Sequence, residues 1–346
     1  MSNDKITLSP AFERGNVPVV MASSNQYAPY AGVLIQSILD HAGEKNNYDI
    51  IIMERSISQE NKRLLTSLAA GRPNVSIRYY DPSPLLTDFH YADEEHLWPL
   101  EVYFRIIAPH VLSYSGRMIT IGIDTFLKTD IARLMDEDLE GRSVGGACDV
   151  SGIGMYLHNS SSFALNIKGR DYFSGVCGFG LEDIKNCVNA DLLLFDCDQY
   201  VRELELETIL NTARQGKYVV ADQDILNVLM KGKLKLLDFA WNVAVRSTPR
   251  NTRLIDAASE LYGGAYERAY ENPCLLHWVG KPKPWVCPDV PWGSEWWQTA
   301  LRTPFVGHII ARMTDEQEKR RAYYRKRYGK ENVDVWDPVP KGIDRT

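Results

Sequence analysis

An apolar run from Val17 to Ala22 ends in the polar stretch Ser23-Ser24-Asn25-Gln26, and a helical pattern follows with Val33, Leu34, Ile38 and Leu39 on one face. The unit repeats: an apolar run from Tyr48 to Met53, a helix opening near Ser58 with Leu64, Leu65 and Leu68 at helical spacing, then a strand from Val75 to Tyr80. Strands that alternate with helices pair through crossover connections, so the sheet they form is largely parallel and lies between helices. In such α/β sheets ligands bind in the crevice beyond the carboxyl ends of the strands. The loop from Ser23 to Tyr27 should therefore face a site.

Further along, Pro99 to Leu112 predicts a helix with Leu100, Tyr103, Phe104 and Ile107 on its apolar stripe and Arg105 off it. A strand from Met118 to Ile121 runs into Gly122-Ile123-Asp124, which leaves a carboxylate at a strand end, and Thr129-Asp130 can start a short helix carrying Ile131 and Leu134. Ser143 to Gly180 is rich in Gly and Ser and reads as a long, irregular insertion facing substrate. Strand character returns from Asp191 to Asp196, helical character from Asp198 to Arg214, and Val219-Val220-Ala221 leads into Asp222-Gln223-Asp224-Ile225-Leu226-Asn227, where Asp222 is placed to cap a helix.

The formal charge of -6 offers no basic surplus for a polyphosphate backbone, which argues against a nucleic-acid partner. Met1 to Asn16 lacks the apolar stretch of a secretion signal, and no run approaches the roughly 20 apolar residues that cross a bilayer, so the chain is expected in the cytoplasm. Its six cysteines form no C-x-x-C pair and read as buried thiols. Glu316 to Lys330 interleaves Lys319, Arg320, Arg321, Arg325, Lys326, Arg327 and Lys330 with Tyr323, Tyr324 and Tyr328. Such a helix can rest on anionic lipid at the inner membrane surface as a peripheral contact, or simply be a solvated helix.

Three segments carry groups that could neutralise a leaving diphosphate: Asp124 after a strand, the D-Q-D-I-L-N stretch Asp222 to Asn227, and His277-Trp278-Val279-Gly280-Lys281-Pro282-Lys283-Pro284-Trp285. Singly, each has a plain structural reading: a turn aspartate, a helix cap, a core histidine and a solvated lysine. Jointly, with the Ser23 to Tyr30 loop, their order and spacing resemble glycosyltransferase family 8 over roughly Pro18 to Trp297.

That resemblance implies a GT-A fold, Rossmann-like with a mostly parallel central sheet, and retaining transfer of a hexose from a UDP-sugar (UDP-galactose or UDP-glucose) to a glycan or lipid-linked acceptor, as in surface glycan assembly. It implies a metal cofactor, Mn2+ or Mg2+, at Asp124 and His277. It assigns Ala22, Ser24, Gln26, Tyr27, Arg105, Ile123, Asp124, Asp222, Gly280 and Lys283 to the nucleotide-sugar, and Gln223, Asp149 and Asn189 to the reacting sugar. The implied layout is an N-terminal extension over residues 1–16, a catalytic domain over 17–303 and a basic helical tail over 304–346.

Three positions depart from the family pattern. Gly122 stands where the first aspartate of the D-x-D metal motif is expected, so metal affinity should fall and Gly122→Asp should raise activity at low manganese. Ser24 and Asn25 replace acidic residues. Asp191 replaces a glycine, adding a carboxylate beside the donor pocket, where it is a candidate contact to the reacting sugar. The broken motif also motivates a competing reading: a catalytically weak or inactive relative that binds nucleotide or glycan.

Overall fold

The computed structural model describes residues 8–85, 100–112, 114–159 and 167–328. Pro99, Ser160 to Ser162, the first residues of the N-terminal extension and the tail beyond Tyr328 lie outside the described residues.

The molecule is a mixed α/β structure around a seven-stranded, mainly parallel sheet of order β3-β2-β1-β4-β7-β6-β8. β1 (Asn16–Ala22), β2 (Asn47–Met53), β3 (Val75–Tyr80) and β4 (Arg117–Ile121) run parallel. A second sheet joins β5 (Thr125–Leu127), β9 (Val243–Ala244) and β10 (Leu275–His277). In the main sheet β6 (Val144–Cys148) lies between β7 (Val188–Asp196), antiparallel to it, and β8 (Leu234–Leu237), parallel to it. β7 is also antiparallel to β4, and it is the strand that turns the parallel half of the sheet into the mixed half.

The parallel strands are buried along nearly their whole length because helices cover both faces, and β1 accordingly reads as continuous Val, Pro and Met rather than as an alternation. The helix Ala28–His41 follows the polar loop, and the helix Gln59–Ser67 is capped by Ser58, whose hydroxyl accepts from the Asn61 amide at 3.2 Å. Asp130 likewise caps the turn Ile131–Asp136 through the Ala132 amide, at 2.9 Å. Phe305 lies so close to the first of these helices that a Cβ on Gly32 would stand 2.5 Å from its ring. Only glycine admits that approach.

Four local expectations change. The helix expected over Pro99 to Leu112 is a 3₁₀ turn, Leu100–Tyr103, leading into Phe104–Val111. The helical stretch after Asp196 is two helices, Cys197–Glu203 and Leu206–Arg214. Asp222 lies inside the first turn of the helix Ala221–Leu229 rather than at its cap. Among the described residues, the region from Ser143 to Gly180 contains β6 and the helix Val150–Leu157 where the sequence predicts an irregular segment. Its glycines serve close packing: a Cβ on Gly146 would meet Val188 Cβ at 2.9 Å, and one on Gly154 would meet the Leu254 carbonyl carbon at 2.6 Å. In sequence, glycine for close approach and glycine for a loop look alike.

Candidate active site

Two strand registers build the site. β4 pairs with β7 so that Ile121 faces Leu192, and one step on the Gly122 amide donates to the Asp191 carbonyl at 2.9 Å. β5 pairs with β10 so that Thr125 faces His277, and the Trp278 amide donates to the Asp124 carbonyl at 3.2 Å. The turn between β4 and β5 is closed by the Thr125 hydroxyl, which donates to the Gly122 carbonyl at 2.7 Å. Asp124 is thereby set between residues that lie far from it in sequence.

The outcome is a cluster in which Asp124, Asp191 and His277 each present a ligand atom within 4.8 Å of the others. His277 Nε2 lies 3.5 Å from Asp124 Oδ2 and 3.4 Å from Asp191 Oδ2. Its tautomer follows from the hydrogen bonds. The Asp191 amide, which can only donate, reaches Asn189 Oδ1 at 3.0 Å. Asn242 Nδ2 donates to the same oxygen at 2.8 Å, which leaves Asn242 Oδ1 to accept from His277 Nδ1 at 2.9 Å. Nδ1 thus carries a proton, and Nε2 is the ring nitrogen turned to the carboxylates, the atom that a metal-binding imidazole would present.

Two cations are woven into this cluster. Arg105, from the helix Phe104–Val111, forks onto Asp222 at 2.9 and 3.2 Å and also pairs with Asp191. Lys283 pairs with Asp124 and donates to the Trp278 carbonyl, which commits two of the three donors an ammonium carries. Burial opposes the charge on Asp124, but Lys283 and His277 outweigh it and hold its carboxyl well below the usual range. Burial opposes the charge on Arg105 as well, and Asp191 and Asp222 outweigh it and keep the guanidinium protonated. Burial dominates at Asp222, which is pushed up to about 6 despite its arginine.

The carboxyl groups of Asp124, Asp191 and Asp222 outnumber the cationic side chains of Arg105 and Lys283, so the cluster has room for an added cation. Two carboxylates and an imidazole suit a divalent ion. The lower affinity expected from Gly122 assumed that only Asp124 and His277 remained; the structure places a third ligating side chain beside them.

Gln223 is held at both ends, accepting from the Ala190 amide at 3.2 Å and donating to Asp149 Oδ2 at 2.9 Å. Burial pushes the Asp149 carboxyl upward. Asp224 turns away from the cluster and accepts from the Tyr172 hydroxyl at 2.6 Å and the Val220 amide at 2.7 Å. Asn227 brackets Val188 on β7, accepting from its amide and donating to its carbonyl, both at 2.8 Å. Of the six residues from Asp222 to Asn227, Asp222 and Gln223 thus point to the site while Asp224 and Asn227 fasten the helix.

The loop residues stand apart from the ion pairs. Ala22 ends β1, the Ser24 carbonyl accepts the Ala28 amide at 3.1 Å, and the Gln26 carbonyl accepts from Arg312. Tyr27 is 42% exposed and edge-on to Tyr30, with centroids 5.8 Å apart. Ile123 occupies the β4–β5 turn, and Gly280, at φ +70, takes the left-handed conformation that only glycine adopts without strain. Trp285 stacks on Tyr30 at 4.3 Å and belongs to the packing. Asn242, which fixes the His277 tautomer, carries no motif; only the β9–β10 register brings it to the site.

A fold whose polar crevice lies at the strand ends, lined by convergent carboxylates and an imidazole, defines a class of α/β protein equipped to hold a cation beside a charged ligand. The family model for glycosyl transferase family 8 matches residues 18–287, and the chain belongs to that family. Relatives include General stress protein A of Bacillus subtilis, 22% identical over 77% of this chain and 86% of that protein, and a putative glycosyltransferase of Haemophilus influenzae, 25% identical over 77% and 72%. Among solved structures, the apo WbbM bifunctional glycosyltransferase superposes with TM-score 0.77 at 25% identity, covering 88% of this chain and 53% of that one. The galactosyltransferase LgtC, solved with donor and acceptor sugar analogues, superposes with TM-score 0.62 at 18% identity, covering 83% and 96%. The fold is therefore that of the GT-A glycosyltransferases, as the resemblance to the family implies.

Proposed function

We propose that this chain moves a hexose from UDP-galactose or UDP-glucose to a glycan or lipid-linked acceptor, with retention of configuration and with the help of Mn2+ or Mg2+. The observation that carries the proposal is the convergence of Asp124, Asp191 and His277 on one point, with Lys283 beside it.

A bound divalent ion would neutralise charge on the departing diphosphate. Asp124 and His277 would hold that ion, and the remaining donor of Lys283 would reach a phosphate oxygen. The left-handed turn at Gly280 would let backbone come close to the diphosphate. Arg105 pairs with Asp191 and Asp222 and holds them in place, and Asp222 lies in the helix turn that presents Gln223.

Gln223 is no nucleophile: its carbonyl and amide are both engaged, which supports a role in shaping the face beside the anomeric carbon. Retention then follows from same-face attack by the acceptor hydroxyl, whose proton passes to the leaving phosphate oxygen. Asp149 and Asn189 are proposed to line the pocket of the reacting sugar, and Ala22, Ser24, Gln26, Tyr27 and Ile123 that of the nucleoside.

Among the described residues no helix is long and apolar enough to cross a membrane. The helix Val306–Tyr328 is basic toward its end, and we extend the proposal to a cytoplasmic enzyme that rests this helix on anionic lipid while acting on a membrane-borne acceptor.

The test is a panel of UDP-sugars assayed for transfer and hydrolysis with manganese, with magnesium and with chelator. Turnover of a UDP-hexose that chelator abolishes is the expected result. Binding of UDP without turnover of any sugar would favour the inactive relative.

A further inference from the structure

Gly122, the residue after the end of β4, lies beside Asp191 of β7, one step beyond the Ile121–Leu192 pair, with its amide donating to the Asp191 carbonyl at 2.9 Å. Opposed residues on antiparallel strands project from the same face of the sheet, usually with Cβ atoms about 5 Å apart, and past the end of β4 the two chains come closer than that. A carboxylate can therefore be delivered to one and the same volume from either strand. Here only one of the two positions can supply it. A Cβ built on Gly122 would lie 2.7 Å from Cγ and 2.9 Å from Cβ of Asp191, closer than carbon atoms pack.

We infer that the carboxylate missing from position 122 is supplied across the strand pair, so that Asp191 is the third protein ligand of the divalent cation bound by Asp124 and His277. The inference rests on the metal-assisted reading of the site. It makes Gly122 a requirement of the arrangement rather than a defect, because Gly122 is the space into which the Asp191 side chain folds.

Three further observations fit. Asp191 Oδ2 faces His277 Nε2 at 3.4 Å, while Oδ1 is the atom paired with Arg105, so one oxygen is steadied and the other points into the cluster. The Asp191 amide and Asn242 Nδ2 both donate to Asn189 Oδ1, at 3.0 and 2.8 Å, which couples the backbone of this residue to the group that orients His277. Two carboxylates also match the charge of a divalent ion, which Asp124 alone would not.

The experiment is a titration of Mn2+ followed by the electron paramagnetic resonance of the free ion, with UDP present and thermal melting run on every variant. Asp191→Asn, close to isosteric, should weaken Mn2+ binding by more than about tenfold. Gly122→Asp alone should give no tighter binding and a lower melting temperature, since its side chain meets Asp191. The exchange Gly122→Asp with Asp191→Gly should return Mn2+ affinity to within a few-fold of the native protein. A folded Asp191→Asn that binds Mn2+ as the native protein does, or a Gly122→Asp that binds it more tightly, would overturn the inference.

His277→Ala separates this outcome from failure of the functional reading. If it loses Mn2+ while Asp191→Asn retains it, the transferred ligand is wrong and the metal site stands. If neither the native protein nor any variant binds Mn2+, the metal-assisted reading falls and the inference falls with it.

Discussion

Asp124, Asp191, Asp222 and His277 sit at strand ends, within β7 or on a helix start and are tied together by Arg105 and Lys283, whereas the loop from Ser23 to Tyr27 is held by backbone bonds, by neutral side chains and by Arg312 on the Gln26 carbonyl. In the loop, Asn25 shows the contrast in one residue. Its Oδ1 accepts from the Ser58 amide at 2.9 Å and from Asn61 Nδ2 at 2.8 Å, so where relatives are expected to carry an acidic group this chain spends the side chain on anchoring the next helix. Charge in the first region is interdependent, and removing one member leaves a buried partner unpaired. The loop can lose one contact and keep the rest. Substitutions should accordingly be costly at the cluster and mild at the loop.

The comparison predicts its largest effect at His277. His277→Ala removes an imidazole whose Nε2 faces both carboxylates, and transfer should fall by more than about 100-fold, beyond the range usual for loss of a supporting hydrogen bond. Steady-state kinetics at saturating manganese check this. Asn242→Ala comes next: it leaves every proposed ligand in place but releases the Nδ1 proton of His277, and Mn2+ affinity should drop by about 10–100-fold. A calorimetric Mn2+ titration would show it, and an unchanged affinity would mean that the imidazole needs no orienting partner.

A buried carboxylate away from the cluster gives a smaller, purely structural effect. Burial pushes the Asp224 carboxyl up to about 6. An unfolded aspartate titrates near 4, so between about pH 4 and 6 the folded chain holds a proton that the unfolded chain has lost. The stability contributed by protonated Asp224 is complete below that window and is lost as pH rises through it, by about 3 kcal/mol. Urea melts over the window should show a flatter pH slope in Asp224→Asn than in the native protein. Tyr27→Ala should have the mildest consequence, a rise of about fivefold in KM for the donor with kcat little changed, the size of one partly exposed stacking contact. A collapse of kcat in this variant would break the contrast between loop and cluster.

What the sequence disclosed follows the same division. The alternation from Val17 to Tyr80 reveals the parallel half of the sheet because period and turn residues are local signals. Asp124, His277 and Lys283 are legible because their spacing is a family pattern, and the structure draws all three into one cluster. Asp191 is legible as a carboxylate beside the donor pocket but not as a neighbour of His277, and Asn242 is not legible at all. Their positions depend on which strand pairs with which, β7 against β4 and β9 against β10, and pairing between segments more than 30 residues apart leaves no periodicity to read. The β6 region misleads for a related reason: Gly145 and Gly146 sit where neighbouring strands crowd them, a fact of tertiary packing that composition cannot carry.

The central claim is that Asp124, Asp191 and His277 hold a divalent ion against a diphosphate. Calorimetric titration of UDP into the protein, with Mn2+ and again with chelator, tests it most directly. UDP should bind at least about tenfold more tightly with Mn2+, and His277→Ala should erase the difference. Equal affinity for UDP under both conditions would contradict the claim.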